Sequence, residues 1–289
     1  MSRMEKNTLA AMGVKASAGT GPKGTPPSPI PNPLSGANVT LQRPPDGIWA
    51  TFDVAGNMIT REDKQKSLKM EYDEENRLIR VLNNRTGLPI TEMEYNASGE
   101  RVKKSSYLSN NTVIDTYYFG NVEMRKERGT TMRTTTWHIS APSGGKLFSM
   151  TTGQLSGQPT VAQVTAAKSQ AIAGNNLLGM PSSTYYYTPD HLGSTSVMTE
   201  TAQGSEASRT LYKPFGEVNR TNSTGYDIAS EYTGQKNDQE TGLYYYGARY
   251  YDPIMARFTQ ADSIVSDAAN AQSFNRYAYV NNNPIKYRD

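Results

Sequence analysis

Between residues 68 and 72 apolar and polar side chains alternate. Leu68, Met70 and Tyr72 fall on one side of an extended chain, Lys69 and Glu71 on the other. Met93 and Tyr95 alternate with Glu92 and Glu94 in the same way. A period of two marks a strand with one packed face. The runs share a punctuation. Phe52-Asp53-Val54-Ala55-Gly56-Asn57 is followed 20 residues later by Tyr72-Asp73-Glu74-Glu75-Asn76-Arg77, and 23 residues after that by Tyr95-Asn96-Ala97-Ser98-Gly99-Glu100. The common pattern is an aromatic residue, Asp or Asn, two variable residues, then Gly or Asn. The acid or amide can bond the backbone two residues on, and Gly or Asn accepts the positive φ that a tight turn needs. A period near 20 residues fits one β-hairpin per repeat. A lone hairpin covers a single face, so such units must stack side by side. Thr112–Phe119, Gly120-Asn121 and Val122–Lys126 predict a further hairpin, and the threonine-rich stretch Thr130–Ile139 a further strand.

The flanks of this repeat region read differently. Eight of the 16 prolines lie between Pro22 and Pro45, so residues 1–45 predict an extended, disordered linker. Residues 46–148 form the repeat region. Residues 149–183, rich in Thr, Gln, Ala, Ser and Gly, predict a flexible insertion in which Val161–Ile172 could form one short helix. From residue 184 to 289 strands and turns return, and tyrosines crowd.

Composition narrows the chemistry. Leu, Ile, Val and Phe together are 46 of 289 residues, about 16%, while 19 of the 27 aromatics are tyrosine. Low aliphatic content signals disorder only when coupled to high net charge, and here the net charge is +3. The balance fits a thin β-layer padded by tyrosine and threonine. With no cysteine there is no disulfide, thiol nucleophile or thiolate metal site, and two histidines give a zinc site little support. No cofactor motif is present. No apolar run is long enough to span a bilayer and no secretory signal is visible. Lys and Arg are scattered, which argues against a nucleic-acid footprint. Carboxylates remain as the plausible catalysts. The clusters Tyr185–Tyr187, Tyr244–Tyr246 and Tyr250-Tyr251 raise a carbohydrate-binding reading. Consecutive residues of a strand face opposite sides, however, so a structural role in which one face packs and the other lines a cavity or meets water is preferred.

The C-terminal third carries an ordered motif series: TPDHLGS (Thr188–Ser194), KPFGE (Lys213–Glu217), YTGQKNDQETGLYYYGARYYDP (Tyr232–Pro253), Arg257-Phe258 and YAYVNNNPIKY (Tyr277–Tyr287). This series resembles the RHS repeat-associated core domain of bacterial polymorphic toxins, and the upstream units resemble degenerate YD (RHS) repeats. The resemblance covers about Asp46–Asp289 apart from the insertion. It implies an all-β fold of stacked hairpins, forming a curved, partial shell strip with a C-terminal core, or plug, domain. It implies encapsulation and delivery of a C-terminal toxin domain, with an immunity protein and further RHS shell segments as partners, and a secreted or cell-surface location. In many members the core domain is an aspartyl autoprotease. Carried over by motif, the candidate catalytic residues are Asp262, which follows the Arg257-Phe258 pair, and Asp289, with Arg257 beside them. Here the prolines that flank the first Asp in the family are replaced, and the chain stops at Asp289, which predicts truncation before the toxin. With six to ten hairpins of about 20–25 residues each, the strip is too short to close a shell. It is expected to leave one face incompletely covered, exposing tyrosine and aliphatic side chains.

Overall fold

The computed structural model describes residues 47–130, 133–140, 146–152, 182–200, 205–222, 231–265 and 269–289. Fourteen strands form one open antiparallel sheet in strict chain order. They are β1 (Trp49–Phe52), β2 (Met58–Glu62), β3 (Ser67–Tyr72), β4 (Leu78–Asn83), β5 (Pro89–Tyr95), β6 (Arg101–Tyr107), β7 (Val113–Phe119), β8 (Val122–Glu127), β9 (Arg133–Ser140), β10 (Lys146–Thr152), β11 (Ser182–Pro189), β12 (Thr195–Glu200), β13 (Glu206–Tyr212) and β14 (Val218–Thr221). A second, four-stranded antiparallel sheet follows: β15 (Lys236–Asp238), β16 (Leu243–Tyr245), β17 (Tyr250–Asp252) and β18 (Arg257–Phe258). The hairpin expected around Gly120-Asn121 is the β7–β8 pair. Residues 149–152 and 182–183, expected within an insertion, are strand, and β10 pairs directly with β11. The proline-rich linker and the Val161–Ile172 helix fall outside the described residues.

One turn recurs along the strip. The first turn residue donates its N–H to the carbonyl four residues on, and its own carbonyl accepts the N–H three residues on, at 2.8–3.1 Å. This happens at Asp53, Asp73 and Asn96, where the pattern was legible, and equally at Leu108, Asp190, Lys213 and Glu231. The fourth turn residue has φ between 60° and 88° at all seven sites. Asp73, Asn96 and Asp190 each accept from the backbone N–H groups two and four residues on, at 2.8–3.0 Å. DHLGS and KPFGE are therefore two more copies of the repeat turn. At five turns the register slips by one residue, pairing Phe52 with Met58, Tyr72 with Leu78, Tyr95 with Arg101, Pro189 with Thr195 and Tyr212 with Val218. The bulge places both partners on the same face and adds local twist. Successive repeats are stitched through tyrosine hydroxyls. Tyr72 donates to the Met58 carbonyl at 2.9 Å, Tyr95 to that of Leu78 at 2.6 Å and Tyr212 to that of Thr195 at 3.3 Å.

The core lies between the two sheets. Met58, Leu68, Met70, Leu78, Val81 and Met93 of β2–β5 pack against Leu243 and Tyr250 of the small sheet. The opposite face of the small sheet is also covered, as Tyr244, Tyr251 and Phe258 form a second cluster with Tyr232 and Tyr279. Both faces of GLYYYGARYYDP are thus dry. This corrects the expectation of one packed and one wet face, because the segments around Tyr232 and Tyr279 form a third layer. The chain's own C-terminal sheet covers part of the strip's face. The covered face changes character along the strip, from apolar in β3–β5 to polar in β6–β10. There Arg101, Thr116, His138 and Ser149 are buried.

Candidate functional site: a charged seam beneath the C-terminal sheet

At the repeat position occupied by Met58 and Leu78, the third repeat places Arg101. The bulge at Tyr95 points this side chain into the interface, where it is 1% exposed. Its Nη1 donates to Asp238 Oδ2 at 2.6 Å and to the Tyr250 hydroxyl at 3.0 Å, and its Nη2 to the Tyr118 hydroxyl at 3.2 Å. The guanidinium lies 4.4 Å from the Tyr245 ring centre and 4.8 Å from that of Tyr118. Lys104, one turn of the pleat further along β6, bonds Asp238 Oδ1 and Glu240 Oε1, both at 2.9 Å. Ser106 adds a bond to the same Glu240 oxygen at 2.7 Å. Burial alone would push the Asp238 carboxyl up. Arg101 and Lys104 outweigh that and hold it below the usual carboxylate range. The same two acids outweigh burial at Lys104 and raise it.

A second cluster joins β2 to β17. Arg61 pairs with Asp252 at 2.8 Å and Asp63 at 2.7 Å, and Asp252 also accepts from the Ile254 and Met255 N–H groups. Here burial dominates and raises Asp252, with Arg61 opposing it. Lys66 donates to the Gln239 and Glu240 carbonyls at 3.0 and 3.2 Å. Beyond the charges, the tail clamps the first two repeat turns. The Met58 N–H donates to the Thr259 carbonyl at 2.8 Å, Gln260 Nε2 to the Asn76 carbonyl, and the Tyr277 hydroxyl to the Gly56 carbonyl at 2.7 Å. Chemically the seam is a lock built of paired charges, although Arg61 Nε, Arg101 Nε and Asp252 Oδ2 make no hydrogen bond of good geometry.

The residues named from sequence lie elsewhere. Arg257 is half-buried in β18, pairs in register with Asp252, and forms an isolated bridge with Ala278. Asp262 receives Arg249, not Arg257, at 2.8 Å, and its Oδ1 accepts the Ile264 N–H at 2.9 Å. Arg249 in turn covers the Phe258 ring at 3.8 Å. Asp289 lines a cavity of about 570 Å³ with Lys146, Asp190, His191 and Arg288. No hydrogen bond or ion pair joins any two of Arg257, Asp262 and Asp289. Of the tyrosines considered for sugar binding, Tyr245 lies beneath Arg101 and Tyr250 is 2% exposed, Tyr244 and Tyr251 are buried in the second cluster, and Tyr186 of β11 is 40% exposed. Among the described residues no group of three or more His, Cys, Asp or Glu side chains is placed to hold a metal ion, and no helix is long and apolar enough to cross a membrane.

Comparison with known proteins agrees with this architecture. Residues 174–285 match the Teneurin YD-shell family. Over 203 residues, 68% of the chain, the sequence is 28% identical to toxin subunit YenC1 of Yersinia entomophaga, covering 18% of that protein. Over 254 residues, 82% of the chain, it is 28% identical to salivary gland surface protein 1 of Aedes aegypti, covering 6% of it. The Tc holotoxin pore of Photorhabdus luminescens contains the same fold, with a TM-score of 0.61 at 20% identity over 82% of this chain and 10% of that one. The chain is thus similar to RHS/YD-repeat proteins. It spans less than a fifth of the length of the curated relatives named here. Within this chain the seam residues Arg101, Lys104 and Asp238 escaped sequence reasoning. One signal was available: Arg101 puts a charge at a repeat position that is Met58 and Leu78 in the two preceding units. A charge at an inward position demands a partner.

Proposed function

We propose that this chain is a wall-and-plug segment of a larger RHS shell, enclosing a C-terminal effector for delivery outside the producing cell. The observation that carries the reading is the buried seam. It folds the C-terminal sheet back onto one face of the strip through paired charges that are 1–3% exposed. An intrachain lid with such a dry attachment has the form of a closure. Among the described residues the strip ends at the edge strands β1 and β14, which further YD segments would extend by strand addition. The effector and an immunity protein that neutralises it are the partners this reading requires. A relative named as a toxin subunit supports it.

The test uses the full gene product with a specific protease site placed just after Asp289. Enclosure predicts that the site resists cleavage in the native protein and is cut once the shell is unfolded in denaturant. Cleavage of the native protein at the rate seen after unfolding would overturn the reading.

A further inference from the structure

Strands β8, β9, β10 and β15 bring ionisable side chains to one buried point away from the Arg101 seam. Glu123 accepts from Lys236 Nζ, and His138 Nε2 lies 3.2 Å from the same carboxylate oxygen. Lys146, on the adjacent strand, acts electrostatically on His138, Lys236 and Glu123 together. The remaining groups that face this point are Tyr118, whose ring lies 4.4 Å below Lys236, Arg101 and Asp238 acting on Lys236, and Tyr187, whose hydroxyl bonds Ser149 at 2.6 Å. With His138 neutral, Lys236 already bonds the Glu123 carboxylate, and Lys146 acts on the same point from the adjacent strand. The imidazole is 2% exposed and neither ring nitrogen makes a hydrogen bond of good geometry, Nε2 meeting Glu123 only as a 3.2 Å charge contact. Protonation would add a third cation and leave a buried N–H unsatisfied. Lys146 also lines the 570 Å³ cavity.

We propose that His138 is an acid-sensitive latch, whose protonation releases the Lys236 end of β15 from β8–β10 while the Arg101–Asp238 end of the seam stays closed. Burial, helped by Lys146, lowers His138 below the ordinary histidine value, and the Glu123 carboxylate only partly opposes it. The sign follows. A group whose folded value is depressed leaves the closed seam at full stability above about pH 6.5, and stability is lost as pH falls from there toward the folded value. One proton permits up to tenfold more opening per pH unit within that window.

Hydrogen–deuterium exchange on the intact protein at pH 7.5 and 5.5, corrected for intrinsic rates, tests this. Peptides spanning residues 236–238 and 133–140 are expected to lose several-fold protection at pH 5.5, while β3–β4 keep theirs. His138→Gln abolishes the difference; His191→Gln, at the other histidine of the chain, leaves it intact. Lys146→Met, which removes one cation without touching the ring, moves the onset to lower protection loss at the same pH. Should His138→Gln fail to fold, the Lys146→Met comparison decides alone. Equal β15 protection at both pH values, or an unchanged onset in Lys146→Met, overturns the proposal.

Discussion

Replacing Asp238 with Asn removes the one carboxylate that serves both Arg101 and Lys104. Asp238 is 2% exposed, with Arg101 at 2.6 Å and Lys104 at 2.9 Å. Lys104 retains Glu240 at 2.9 Å, but Arg101 keeps only the hydroxyls of Tyr250 and Tyr118. Stripping the partner from a buried cation costs about 3–5 kcal/mol, a large part of the ~5–15 kcal/mol that holds a typical domain together. Arg101→Met should cost less, about 2 kcal/mol, because Lys104 still compensates Asp238 and the loss is mainly of hydrogen bonds and packing. Removing both charges, Arg101→Met with Asp238→Asn, leaves Lys104 with Glu240 and no orphan. The double variant should therefore be more stable than the sum of the singles by at least ~2 kcal/mol. Guanidinium unfolding followed by far-UV circular dichroism measures all four proteins. An Asp238→Asn variant within about 1 kcal/mol of the parent, or strictly additive costs, would refute the claim that this pair locks the seam.

Three further expectations follow from other parts of the structure. Gly56→Ala and Gly99→Ala place the same strain on a positive φ, but a Cβ at Gly56 would meet the Tyr277 hydroxyl at 2.5 Å whereas Gly99 has nothing within 4 Å. Thermal melts should show Gly56→Ala as clearly the more damaging, and equal shifts would remove the role of Tyr277 as a clamp. Tyr95→Phe deletes the 2.6 Å bond to the Leu78 carbonyl and should cost about 1 kcal/mol, with a Tm unchanged from the parent counting against the ladder. Burial lowers Lys146 to about 8, aided by Lys236. The folded state thus holds fewer protons than the unfolded one between about pH 8 and 10, so stability should rise with pH in that window, and Lys146→Met should flatten the rise in unfolding curves taken across it.

The repeat was readable because its chemistry is local. Asp73 bonds Glu75 and Arg77, and the positive φ at Asn76 sits three residues from it; a six-residue window holds the whole turn. Copies hidden behind Leu108, Lys213 and Glu231 kept the geometry while losing the acid or amide, so composition stopped announcing them although the backbone bonds persist. The strands beside the supposed insertion were missed for a related reason. Ser149 and Thr151 are polar residues on the face that carries His138 and Thr136, and the apolar alternation on the other face is only Phe148 and Met150, too short to mark a strand.

The candidate site was legible only in outline. Arg257, Asp262 and Asp289 were named by motif, and the chain sends each to different neighbours. Arg249 reaches Asp262 because β17 follows it directly and the ring of Phe258 carries its guanidinium. The lock itself joins residues such as Arg101 and Asp238, 137 positions apart. By itself the sequence determined the strand, the turn and their repetition, since each depends on side chains bonding their own backbone within a few residues. Only the tertiary structure decided which face is covered, what covers it, and which charges are buried as partners. A buried charge is tolerable only opposite its counter-charge, and that opposition exists only after the distant C-terminal sheet has folded back onto the strip.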